Sequence, residues 1–176
     1  MSASRRRAAL LYGVAAGAFL VDRLSKVWVE GALAGRPPIR VIRGVLFLTY
    51  TTNSGGAFGF GRSASWVFAG ATLVVGAAIV MASLRPMRAP VAVAVGLILG
   101  GALGNLADRV LNGPGLRGGV TDFIDFRVWP VFNLADTAIV TGAILLALAS
   151  FGQGAEHGAP VPTPGPAGPA PDDPRA

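Results

Sequence analysis

The chain has 176 residues, of which 52% are hydrophobic and only 14% charged, a balance that excludes an ordinary soluble domain and fits a small polytopic membrane protein. Cysteine is absent, which excludes a thiol nucleophile, a disulfide framework and thiolate metal sites; the one histidine, His157, lies in a Pro/Gly-rich tail, so neither a Ser-His-Asp triad nor a His-rich metal site is expected. The net charge of +6 sits on arginines beside apolar runs, so membrane topology and anionic headgroups account for it and no nucleic-acid partner is expected.

Residues 1–7 form a basic N-terminus, and the first apolar segment follows at about 8–29. Arg5-Arg6-Arg7 before a short apolar run also resembles a secretory signal peptide. The pattern resumes after Asp22 and Arg23, however, and Leu20, Leu24, Val27 and Trp28 keep helical spacing. One span with polar residues near its outer end explains the whole stretch. The loop at 31–63 is rich in β-branched and aromatic residues from Ile39 to Thr52, with Gly44 as a bend and Asn53-Ser54-Gly55-Gly56 as a turn. It reads as a small sheet on the extracytoplasmic face.

Further spans are expected at about 64–84, 90–111 and 131–151, each roughly the 20 residues a helix needs to cross the hydrocarbon core. Gly96, Gly100 and Gly104 recur every four residues in the third span, and Gly13 and Gly17 in the first, a spacing that lets helices approach closely. Trp28, Trp66 and Trp129 fall at span ends and read as interface anchors. Residues 152–176 are rich in Pro, Gly and Ala and are expected to be disordered. The fold class is therefore mainly α: a four-helix transmembrane bundle, residues 8–151, with a small β-sheet outside. Arg5 to Arg7, Arg85 and Arg88 place both termini in the cytoplasm.

This topology puts every polar cluster of the spans at one level, near the outer interface. Asp22, Arg23 and Lys26 lie late in the first span, and Asn105, Asp108 and Arg109 late in the third. Asn133 and Asp136 lie early in the fourth, and Asp122 and Asp125 in the loop before it. A carboxylate at membrane depth costs a few kcal/mol or more. Trp129-Pro130 lets the chain fold Asp122 back beside Asp136, and two carboxyls sharing a site hold one proton between them. Such a pair can activate water and protonate a leaving amine without metal or cofactor, while nearby asparagines and an arginine hold peptide carbonyls. Asp125 has a similar spacing to Asp136, and spacing alone does not choose between it and Asp122.

Five segments carry a family resemblance. They are Asp22-Arg23-Leu24-Ser25-Lys26, Asn53-Ser54-Gly55-Gly56-Ala57-Phe58, Gly104-Asn105-Leu106-Ala107-Asp108-Arg109, Val120-Thr121-Asp122-Phe123-Ile124-Asp125 and Phe132-Asn133-Leu134-Ala135-Asp136. In this order the chain resembles signal peptidase II, the bacterial lipoprotein signal peptidases, over about Leu11 to Leu148. The resemblance implies a peptidase of the bacterial inner membrane that cleaves prolipoproteins before a diacylglyceryl-modified cysteine. It implies a catalytic dyad at Asp122 and Asp136, substrate-lining roles for Asn53, Asn105, Arg109 and Asn133, and a supporting polar patch at Asp22 and Lys26, with Asp125 nearby. It also implies inhibition by globomycin-type cyclic peptides. Arg23 and Thr121 depart from it, since the family usually has glutamine and an aliphatic residue there. A monomer in contact with membrane lipids suffices.

Two other classes compete. A small proton-coupled transporter would also carry intramembrane carboxylates, although it predicts repeats, broken helices and polar residues through the full depth. A Ser-Lys peptidase would need a serine other than Ser25, such as Ser54, to meet Lys26, because adjacent helical residues diverge by about 100°.

Overall fold

In a medium without water a backbone must satisfy its own hydrogen bonds, and each long apolar run of this chain forms a helix. The computed structural model describes residues 3–54 and 65–154. Helix α1 spans Ala3–Leu33, α2 Ser65–Ser83, α3 Ala89–Leu111 and α4 Leu134–Gly154. All four are long and apolar enough to cross a membrane. Most of the expected tail, with His157, and Gly55-Gly56 of the expected turn lie outside the described residues.

α1 continues unbroken past Asp22 to Leu33, so the polar residues interrupt its apolar face and not its backbone. α3 is the central helix, packed chiefly on α1 and α4 and less on α2. Its glycines set those distances. A Cβ at Gly96 would meet the Leu11 carbonyl oxygen of α1 at 2.7 Å, and one at Gly100 would collide with the Ala15 carbonyl. Gly104 faces the Asp22 carboxylate, and Gly101, on another side of α3, faces the Ala135 carbonyl of α4. Gly13 and Gly17 have nothing within 4 Å and are not packing positions among the described residues.

Leu20, Val21, Leu24, Val74 and Leu148 are each more than half exposed, the mark of a bundle whose solvent is hydrocarbon. Trp28, Trp66 and Trp129 are likewise more than half exposed.

The sheet has three antiparallel strands in the order β1 (Ile39–Ile42), β2 (Leu46–Asn53), β3 (Val120–Asp125). Gly44, at φ +76°, sits in the turn between β1 and β2, where a side chain would be strained. β3 arises from a segment expected to be loop. Nearly all its residues are buried, so no polar–apolar alternation marked it as strand. Phe123 packs with Val29 and Leu33 of α1, which clamps the sheet onto the bundle.

Candidate active site

The start of α4 is built by the residues just before it. Phe132 pairs with β3: its N–H donates to the Ile124 carbonyl at 3.1 Å, and its carbonyl accepts from Ile124 at 2.8 Å. That bridge keeps the chain extended through Phe132 and delays the helix to Leu134, later than the expected 131. Asn133 then acts as N-cap, its Oδ1 accepting from the Asp136 N–H at 2.9 Å. Asp136 consequently lies in the first turn of α4, where the helix dipole favours a negative charge.

Asn133 also reaches the other aspartate. Its Nδ2 donates to Asp122 Oδ1 at 2.6 Å and to Asn105 Oδ1 at 3.2 Å. Asn105 Nδ2 donates to Asp136 Oδ1 at 2.7 Å. The orientation of the Asn105 amide is fixed by Lys26, whose Nζ donates to Asn105 Oδ1 at 2.9 Å. Asn53, at the end of β2, hydrogen-bonds to Asp122 as well. Asp122 is thus held by two asparagines, Asn53 and Asn133, and Asp136 by Asn105 and the cap.

Asp122 is buried, and its carboxyl is pushed up to about 7, chiefly by burial and then by the neighbouring Asp136. The hydrogen bonds from Asn133 and Asn53 pull the other way without prevailing.

Asp122, Asp136, Asn53, Asn105 and Arg109 line one cavity of about 450 Å³ between α2, α3 and α4. Apart from Thr72, its remaining walls are apolar side chains of α2, α3, α4, β3 and the Trp129–Phe132 segment. Arg109 lies over the Phe68 ring at 5.7 Å and donates to the Asn105 carbonyl at 3.1 Å. Its buried Nε has no hydrogen-bond partner among the described residues. Asn133, Asp22, Lys26 and Asp125 stand outside this lining. Phe68 carries no signal in the sequence beyond membership of an apolar span.

Asp125 lies three residues from Asp122 on a strand, so the two side chains leave opposite faces. Asp125 accepts from the Arg127 N–H at 2.7 Å and pairs with the Arg127 side chain at 3.2 Å. Strand geometry therefore separates two aspartates that spacing could not.

Behind the cavity lies a buried ion cluster. Lys26 Nζ is 2.8 Å from Asp22 and 2.9 Å from Asp108. Asp22 Oδ1 accepts from the Ala135 N–H in the first turn of α4 at 2.9 Å. Asp108 also pairs with Arg23 and accepts from the Thr121 N–H of β3 at 3.1 Å. Arg23 and the Thr121 backbone thus meet at one carboxylate.

The family model for signal peptidase (SPase) II matches residues 14–152. The chain belongs to the signal peptidase II family. The lipoprotein signal peptidase of Streptomyces coelicolor is 43% identical over 152 residues, covering 84% of this chain and 72% of the relative. That of Syntrophomonas wolfei is 48% identical over 128 residues, covering 72% and 83%. Two solved bacterial membrane enzymes superpose with TM-scores of 0.71 and 0.67, at 27% and 29% identity, covering 84% and 78% of this chain and 92% and 89% of theirs.

Family membership and the four apolar helices make this a multi-pass membrane protease. A match to a peptidase family does not support the transporter alternative. The Ser-Lys alternative meets a chemical objection, since Lys26 Nζ is engaged by two carboxylates and an amide oxygen.

Proposed function

We propose that this signal peptidase II family member is an aspartic endopeptidase that removes signal peptides from diacylglyceryl-modified prolipoproteins, cutting before the lipidated cysteine. The observation that carries the reading is Asn133, one side chain bridging Asp122 and the backbone of Asp136 at the edge of a shared cavity. Asp122 holds the proton of the pair. Asp136 takes a proton from the attacking water, while Asp122 gives its proton to the scissile carbonyl oxygen. A C–O bond forms, giving a neutral gem-diol. Asp136 then protonates the amide nitrogen, Asp122 recovers a proton from one hydroxyl, and the C–N bond breaks. Acid and amine leave with the dyad restored.

Arg109, Asn53 and Asn105 hold the extended peptide against the dyad, and the apolar walls take the signal-peptide side chains and lipid. The polar layer lies near the outer face, with both termini in the cytoplasm. The direct test is cleavage of a diacylglyceryl-modified precursor by wild type, Asp122→Asn and Asp136→Asn, each shown to be folded by its melting curve. Both variants should lose at least about 10³-fold in rate. Normal processing by either would remove the dyad assignment. Equal cleavage of an unmodified precursor would remove the substrate assignment.

A further inference from the structure

A second cleft lies at the opposite end of the bundle. It has a volume of about 460 Å³ and is lined by Ser4 and Arg7 of α1 and by Pro86, Met87, Arg88 and Pro90 of the α2–α3 connection and α3. Its walls are fixed in place. Tyr12 Oη and Ser83 Oγ are hydrogen-bonded at 2.9 Å, which ties α1 to the end of α2 beside the cleft. Met87 packs on the core cluster of Leu11, Ala15, Ile79, Ala92 and Leu99, which seats Arg88 beside the α1 wall that carries Arg7.

Its position defines what it meets. Arg7 precedes Asp22 by fifteen helical residues, roughly 22 Å, and Arg88 precedes Asn105 by seventeen, roughly 25 Å. Those lengths approach the ~30 Å thickness of the hydrocarbon core. With the candidate active site near one interface, the cleft lies at the headgroup level of the other leaflet. Arg7 and Arg88 are exposed and cationic, and no carboxylate occurs in residues 3–21 or 65–107. Two exposed arginines that line one cleft at headgroup level are matched by the phosphate of an anionic lipid.

We infer that Arg7 and Arg88 form a binding site for the phosphate headgroup of an anionic phospholipid in the leaflet opposite the active site. The site anchors the α1 N-terminus to the α2–α3 connection.

The test is native mass spectrometry of the full chain released from detergent with phosphatidylglycerol or phosphatidylcholine. Wild type is compared with Arg7→Gln/Arg88→Gln and with Arg6→Gln/Arg85→Gln, which removes the same charge from outside the cleft. Wild type should retain phosphatidylglycerol at least about tenfold better than phosphatidylcholine. The cleft variant should lose about tenfold or more of that affinity, and the control variant about threefold or less. Precursor cleavage by both variants should stay near wild type, which reports that they are folded. Equal retention of the two lipids by wild type would overturn the site without reference to any variant. Equal loss in both double variants would mean a diffuse surface charge and no site. Displacement of the lipid by millimolar inorganic phosphate, with phosphate itself retained, would assign the cleft to free phosphate instead.

Discussion

Asn133 uses each polar atom of its amide for a different purpose, and its substitutions separate those purposes. Asn133→Asp keeps an oxygen for the Asp136 N–H and the cap, but it removes the donor to Asp122 and adds a third carboxylate. Because Asn133 is fully buried against Asp122, the added carboxylate should destabilise the protein by a few kcal/mol and cut the cleavage rate at least about 100-fold. Asn133→Ala loses the cap as well and should cost about 1 kcal/mol in addition to activity. The same scale carries a pH prediction. The Asp122 carboxyl is raised from 3.8 to about 7, so the folded protein favours the protonated form. Its contribution to stability is complete below pH 4 and is lost as pH rises through 7. Asp122→Asn should therefore be more stable than wild type at pH 8, by a few kcal/mol at most, with the gap closing toward pH 4. The alkaline limb of kcat/KM in wild type should fall near pH 7; a rate that keeps rising to pH 9 would contradict a protonated Asp122 as acid. The sequence places both Asn133 and Asp136 early in the fourth span, but Asn133 precedes the helix. The reason is Phe132, whose pairing with Ile124 depends on a strand that spacing does not reveal.

Glycines at four-residue spacing forecast that α3 would approach a neighbour closely, and at Gly96 and Gly100 the neighbour is α1. Gly101 was invisible to that pattern because it serves a different partner, α4, and a single periodic stripe describes only one face. Substitution distinguishes them from glycines that merely recur. Gly100→Ala would press a methyl into the Ala15 carbonyl, a rigid backbone atom, and should destabilise the bundle by about 1–3 kcal/mol in detergent melts. Gly13→Ala points into open space and should be neutral or stabilise by up to about 1 kcal/mol. If the two melted alike, the packing account of α3 would be wrong. The sheet was legible only in part for a related reason. β1 and β2 carry strand-forming residues in a long loop, whereas β3 is buried on both faces and carries two aspartates, so neither composition nor period announced it.

Among the described residues, buried charge is confined to one layer of the bundle, and that layer was readable because four segments reached it independently. Its internal wiring was not, since helix rotation decides which acid meets which base. Asp22, Lys26, Asp108 and Arg23 form a nearly dry cluster of two negative and two positive groups that joins α1, α3, β3 and the first turn of α4. Removing one member leaves a buried charge uncompensated, so Lys26→Met should destabilise the protein by about 3–5 kcal/mol. Adding Asp22→Asn restores neutrality and keeps an oxygen for the Ala135 N–H, so the double variant should regain much of that loss. Activity should behave differently. Lys26 also fixes the Asn105 amide that donates to Asp136, and neither methionine nor the second substitution replaces that bond. The double variant should therefore fold nearly as well as wild type while cleaving at least about tenfold more slowly. Recovery of both properties together would mean that the cluster supports the bundle alone; recovery of stability without activity ties it to the orientation of the dyad.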